Sequence, residues 1–243
     1  MPVVYAAEMR PTNRLLMILA GGALLGCSTG DPYVPEEDPI LLRANRRVEP
    51  YSDLLVVPEE TGERVYPNIE NFLEGPNPAL ALYREDLTRA KVTDFFVEQA
   101  GSEEIALPIL YYAEKLDISL TLAFSLVWNE SRFLPTAVNN NGPSVDRGIF
   151  QLNSLTFRSL SEDDFFNPEI NAFHGLRYLE FCLEQGADDA QALAIYNAGL
   201  TRVIRGRTPA TTLMYTARIL SHEADLIEDF ADFILSQFPP AIA

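Results

Sequence analysis

The sequence is poor in cysteine: 243 residues contain two, Cys27 and Cys182. That excludes a disulfide framework. Histidine is as scarce, with His174 and His222 far apart, so no Cys/His spacing suggests a metal site or a Ser or Cys triad. Basic residues are few, 18 against 35 acidic, for a net charge of −17. A surface this anionic repels phosphate backbones and argues against nucleic acid as a partner. No glycine-rich loop is arranged to cradle a phosphate, no internal repeat is visible, and no cofactor is expected. Long apolar runs are missing too, since the stretch over residues 15–26 is too short to span a bilayer.

That short run nevertheless carries information. It follows two arginines, Arg10 and Arg14, and has the layout of an export signal; Met9 gives a tidier start than Met1. It ends in Leu24-Leu25-Gly26-Cys27, which resembles the lipobox of bacterial lipoproteins. The resemblance implies that residues 1–27 are a signal peptide ending at a lipidated Cys27, which becomes the mature N-terminus. Multiple acyl chains exceed the two-signal threshold for stable anchoring. Ser28, where an aspartate would suggest inner-membrane retention, favours the outer membrane, facing the periplasm. Cys182 is then left without a partner and is expected to be a small buried hydrophobe.

Residues 28–78 are expected to form an acidic, proline-rich tether, with Pro32, Pro35, Pro39, Pro50, Pro58 and Pro67 among its interruptions. As a flexible coil it would reach roughly 40 Å. From residue 79 to about 240 the pattern turns helical. Residues 79–100 read as one or two helices closed at Gly101; Ser102 caps the next, in which Pro108 is expected to produce a kink or a delay. Ser119 caps a helix over 120–129, and Asp188, with Gln191 three residues on, opens another. Gly186 and Gly199 close helices, and Pro209 opens a long one running to about Phe238. At most a short hairpin is expected near residues 145–153.

Within this frame Glu130 stands out. Apolar residues at 120, 122, 123, 124, 126, 127 and 128 cover almost the whole circumference of the preceding helix, which marks it as buried. A carboxylate at its C-terminal end is opposed by desolvation and by the helix dipole, so its pKa should rise. A carboxylic acid protonated near neutral pH is what a general acid requires. The bland alternative is an exposed glutamate paired with Arg132.

The surroundings form an ordered set: Glu130-Ser131, Phe133-Pro135-Ala137, residues 148–152 (Gly-Ile-Phe-Gln-Leu), residues 194–199 (Ala-Ile-Tyr-Asn-Ala-Gly) and Tyr215. Over about residues 105–220 this order resembles the Slt-type lytic transglycosylases, departing from their pattern by Ile195 before Tyr196 and by Phe150 where methionine is usual. The resemblance implies a mainly α, lysozyme-like domain acting on peptidoglycan glycan strands. Glu130 would be the single general acid and base, cutting between N-acetylmuramic acid and N-acetylglucosamine to leave a 1,6-anhydro ring. It further implies substrate-binding roles for Ser131, Phe150 (an apolar wall beneath a sugar), Gln151, Tyr196 and Asn197. Tyr215 would hold Glu130 or simply pack. Ser131 could instead make a helix-end contact, Gln151 a loop staple and Asn197 a helix cap.

Residues 144–154 are similar to the stretch of animal lysozymes that holds a second carboxylate, here Asp146. Asp146 is expected to bind substrate or to sit solvated beside Arg147. With its carboxyl about 5 Å from that of Glu130, a retaining muramidase would be chemically possible. A peptidoglycan-binding lipoprotein without turnover is the alternative outside enzymology.

Overall fold

The structure is a computed structural model that describes residues 69–238, all within one of the two units into which the chain divides, 36–243 rather than 1–35. The expected signal segment, Cys27 and residues 28–68 of the expected 28–78 tether lie outside the described residues. Among the described residues ten helices and a small sheet follow in order: α1 (Ile69–Leu73), α2 (Pro78–Tyr83), α3 (Arg89–Ala100), α4 (Glu103–Lys115), α5 (Leu120–Ser131), β1 (Val138–Asn140), β2 (Val145–Arg147), β3 (Leu152–Asn153), α6 (Glu162–Phe166), α7 (Pro168–Gln185), α8 (Asp189–Ala198), α9 (Leu200–Ile204) and α10 (Ala210–Gln237). Among the described residues no helix is long and apolar enough to cross a membrane.

The expected boundary at residue 79 falls too late. Ile69 in α1 is buried in the main core, and α1 packs on α2 and α10. A five-residue helix is too short to show periodicity, and the prolines after it obscured the signal.

The helix ends obey local chemistry. Ser119 Oγ accepts from the Leu122 amide, and Asp188 accepts from that of Gln191. Gly101 closes α3 in the left-handed region, its amide donating to Val97. Ser102 sits at the N-cap of α4 without a side-chain capping bond. α4 starts at Glu103 and runs through Pro108, so the expected delay does not occur. The ring deprives only the Glu104 carbonyl of its amide, and Glu104 is exposed in the first turn, where water can replace it.

A hub of phenylalanines joins α3, α5 and α10. Phe96 lies 4.4 Å from Phe124 and 5.9 Å from Phe230 between ring centroids, and Phe95 lies 5.2 Å from Phe230. Each such burial is worth roughly 2–3 kcal/mol, which fixes α5 at the centre. α4 packs between α3, α5 and α7, while α8 lies against α7 and α10. Cys182 is buried in a second apolar cluster with Ala192, Ile195 and Val203, as a free thiol that burial pushes up.

The expected single hairpin is an understatement. β1, β2 and β3 form an antiparallel sheet in that order, with Asp146 opposite both Asn139 and Asn153. Strands of two or three residues carry too few side chains to alternate visibly.

Candidate active site

Glu130 occupies the last turn of α5 and is half-buried. It does not pair with Arg132, whose guanidinium lies 3.2 Å from the Trp128 ring centroid. The Tyr215 hydroxyl, on α10, donates to Glu130 Oε1. Burial pushes the Glu130 carboxyl up to about 7 from its ordinary 4.5; the Tyr215 bond opposes the rise, the Asp146 charge adds to it, and Arg218 opposes it. About half of Glu130 is therefore in the acid form at neutral pH. Because Tyr215 donates to Oε1, the proton of that acid form belongs on Oε2. Burial also pushes the Tyr215 and Tyr196 phenols well up, so both remain O–H donors.

Beneath Glu130 lies the turn over residues 148–151. Ser131 Oγ donates to the Ile149 carbonyl at 2.8 Å and is 3.2 Å from that of Val127. The Tyr196 hydroxyl donates to the Phe150 carbonyl at 2.9 Å. Gln151 Nε2 donates to Gly148 at 2.9 Å and Ala137 at 3.2 Å. Gly148 has φ +78, and a Cβ there would fall 2.2 Å from Asn171 Nδ2 and from the Phe165 carbonyl oxygen. Arg132, Phe133 and Gln151 also have positive φ. Such conformations cost on the order of 1–2 kcal/mol each, and here they gather at the end of α5 and in this turn.

Several expected roles change. Phe150 is fully buried, against Gly175, whose added Cβ would meet the Phe150 ring at 2.2 Å. It supports the turn from below and forms no exposed wall. Ser131 is buried with its one hydroxyl proton committed to backbone carbonyls, and the Gln151 amide protons staple the turn; these are the bland readings of both residues. Tyr196 is half-buried with its ring 5.0 Å from that of Tyr178. Asn197 is exposed, and its Oδ1 accepts from Thr212 at 2.7 Å, which ties the end of α8 to the start of α10.

Asp146 is half-buried on β2. Its carboxylate accepts from Asn153 Nδ2 at 2.7 Å and from Asn141 Nδ2. Burial raises its pKa while both amides hold it down. Arg147 does not pair with it; that guanidinium approaches Glu162 at 3.9 Å.

Sequence reasoning missed Asn171. Fully buried on α7, it accepts from the Phe150 amide at 2.8 Å and donates to the carbonyls of Phe165 at 2.8 Å and Arg147 at 3.1 Å. A signal existed: Asn171 is in helical phase with Gly175, Leu179 and Cys182, so a polar residue stood at a core position.

Residues 108–214 match the family described as transglycosylase SLT domain. Over that stretch, somewhat less than half of its length, the chain is similar to this family. The SLT match contains Glu130, Asp146, Asn171 and the 148–151 turn, and it ends one residue before Tyr215. Among solved structures the chain is similar to an inactive mutant of lytic transglycosylase Slt from Pseudomonas aeruginosa, at 15% identity and a TM-score of 0.46, covering 81% of this chain and 44% of that one. This chain thus spans less than half the length of that relative. No curated protein matches it.

Proposed function

We propose that this chain is a peptidoglycan lytic transglycosylase with Glu130 as its only proton-transfer group. The observation that carries the reading is a half-buried carboxyl, raised to about 7 and held by Tyr215 inside an SLT domain. In the first step Glu130 donates its proton to the oxygen of the bond between N-acetylmuramic acid and N-acetylglucosamine, and the C1–O bond breaks. The substrate's own N-acetyl group stabilises the oxocarbenium-like centre. Glu130, now ionised, takes the proton of the muramoyl C6 hydroxyl, whose oxygen bonds to C1 and closes the 1,6-anhydro ring. Glu130 ends protonated again and no water is consumed.

A pKa near the working pH suits both halves, because the group must be a competent acid first and a competent base afterwards. Tyr215 fixes the carboxyl by one oxygen and leaves the other for the sugar. The Asp146 charge adds to the burial that keeps Glu130 protonated, and with exposed Asn197 it is the polar group offered to the glycan. Membrane attachment through Cys27, at the outer membrane and facing the periplasm, completes the proposal; it is supported by the Leu-Leu-Gly-Cys sequence and tested by incorporation of labelled fatty acid into wild type but not Cys27→Ala.

The deciding experiment is digestion of purified sacculi followed by mass analysis of the muropeptides. Anhydro ends are the expected product. Reducing ends would identify instead a retaining hydrolase using Glu130 and Asp146. Binding without release would identify a non-catalytic module.

A further inference from the structure

The seam between α5 and α10 is lined by polar pairs running its whole length. At one end Glu223 Oε1 accepts from Thr121 Oγ1 at 3.0 Å and from Ser119 Oγ at 3.3 Å. Next, His222 Nδ1 meets Ser125 Oγ at 2.9 Å, and its ring lies 3.9 Å from that of Trp128. Arg218 Nε donates to Asn129 Oδ1 at 3.2 Å. At the other end Tyr215 reaches Glu130. The partners ascend on one helix as they descend on the other, so the helices are antiparallel. From Glu223 to Tyr215 is eight residues and from Thr121 to Glu130 is nine, or about 12 and about 13.5 Å of helix at 1.5 Å per residue. The first and last pairs are therefore matched lengths apart.

Ile219 and Leu226, buried in the main core and in helical phase with Tyr215 and His222, add apolar burial that opposes separation of α10 from the core. Such burial is non-directional and opposes lengthwise sliding far less. Directional bonds are what define position along the axis. Glu223 provides two of them at one atom, at the N-terminus of α5, where its charge also suits the helix dipole.

We propose that Glu223 is a positioning residue for Glu130: through Ser119 and Thr121 it fixes the lengthwise register of α5 on α10 and so keeps the Tyr215 hydroxyl on the Glu130 carboxyl. The catalytic consequence rests on the function proposed above; the geometric consequence does not. The charged groups around the two carboxyls are few. Arg218 from α10 and Asp146 from β2 act on Glu130, and Asp189 from α8 acts on Glu223, whose carboxyl burial holds up.

The test uses the full chain with 13C-labelled glutamate and reads the titration of the Glu130 carboxyl directly. Since the Tyr215 bond holds Glu130 down, Glu223→Ala and Thr121→Val should raise its midpoint by about half a unit or more. Glu223→Gln retains the Oε1 acceptor and should leave the midpoint at its wild-type value. On sacculi, Glu223→Ala should lose about tenfold in kcat with KM within about twofold, as expected for a reacting group displaced by a fraction of an ångström. Thr121→Val guards against a Glu223→Ala variant that does not fold. A lowered Tm with an unmoved midpoint in both variants would make Glu223 merely structural and overturn the proposal. Absence of cleavage by wild type would sink the function proposed above and leave the titration to decide on Glu223.

Discussion

Along the α5–α10 seam, side chain meets side chain; in the 148–151 turn beneath it, side chain meets backbone. The helices satisfy their own amides and carbonyls, so Tyr215, Arg218, His222 and Glu223 have only the side chains of α5 to bind. The turn has no ladder, and Ser131, Tyr196, Gln151 and Asn171 must complete its backbone. The difference teaches which kind of damage each region transmits. Breaking the seam should misplace a reacting group in a protein that stays folded. Breaking the turn leaves buried backbone groups unpaired and should cost stability first.

The largest expected effect is on the seam. Glu130→Gln should reduce cleavage of sacculi by roughly 10²–10⁴ while leaving the fold intact, and near-normal release of muropeptides would remove Glu130 from the mechanism. Its stability should move the other way. The folded carboxyl titrates near 7 and the unfolded one near 4.5, so between these pH values the unfolded state releases its proton more readily and stability falls as pH rises. Glu130→Gln removes that penalty. At pH 8 it should gain up to about 3 kcal/mol, with no gain at pH 4, as measured by urea unfolding.

The turn is tested next. Asn171→Ala leaves the Phe150 amide and two carbonyls unpaired and should lose about 3 kcal/mol. A small loss of stability with a large loss of activity would erase the distinction between the two regions. Tyr215→Phe, back on the seam, should raise the midpoint of Glu130 and slow cleavage about tenfold, readable as a shift of the basic limb of the kcat/KM profile to higher pH.

The smallest effect sharpens the turn side. His174, on the same helix as Asn171, is pushed down to about 4 by burial, partly opposed by Asp164, and packs against Phe157 and Phe173. Its unfolded value is near 6.5, so as pH falls from 6.5 towards 4 the unfolded state takes up the proton and stability is lost. His174→Leu should flatten that acid slope; an unchanged slope would show that His174 does not cause it.

Much of the site was legible because it depends on neighbours in sequence. Glu130 follows an apolar run that can only be a buried helix, and Ser119, Asp188 and Pro209 mark helix starts by local hydrogen bonding or fixed φ. Phe150 and Ser131 were harder. Their motif positions pointed to substrate, but whether a side chain faces a sugar or the core depends on Gly175 and Ile149, 25 and 18 residues away. Asn171 and Glu223 make contacts that sequence spacing does not reveal.

The sequence by itself determined that a carboxyl would end a buried helix, and that helices would start at Ser119 and Asp188, since helical period and capping hydrogen bonds are local properties. Only the tertiary structure decided which oxygen of Glu130 Tyr215 would hold, and that Asn171 would complete the turn. Those outcomes depend on how distant helices are aligned, and hydrogen bonds select an alignment only once the chain has brought the helices together.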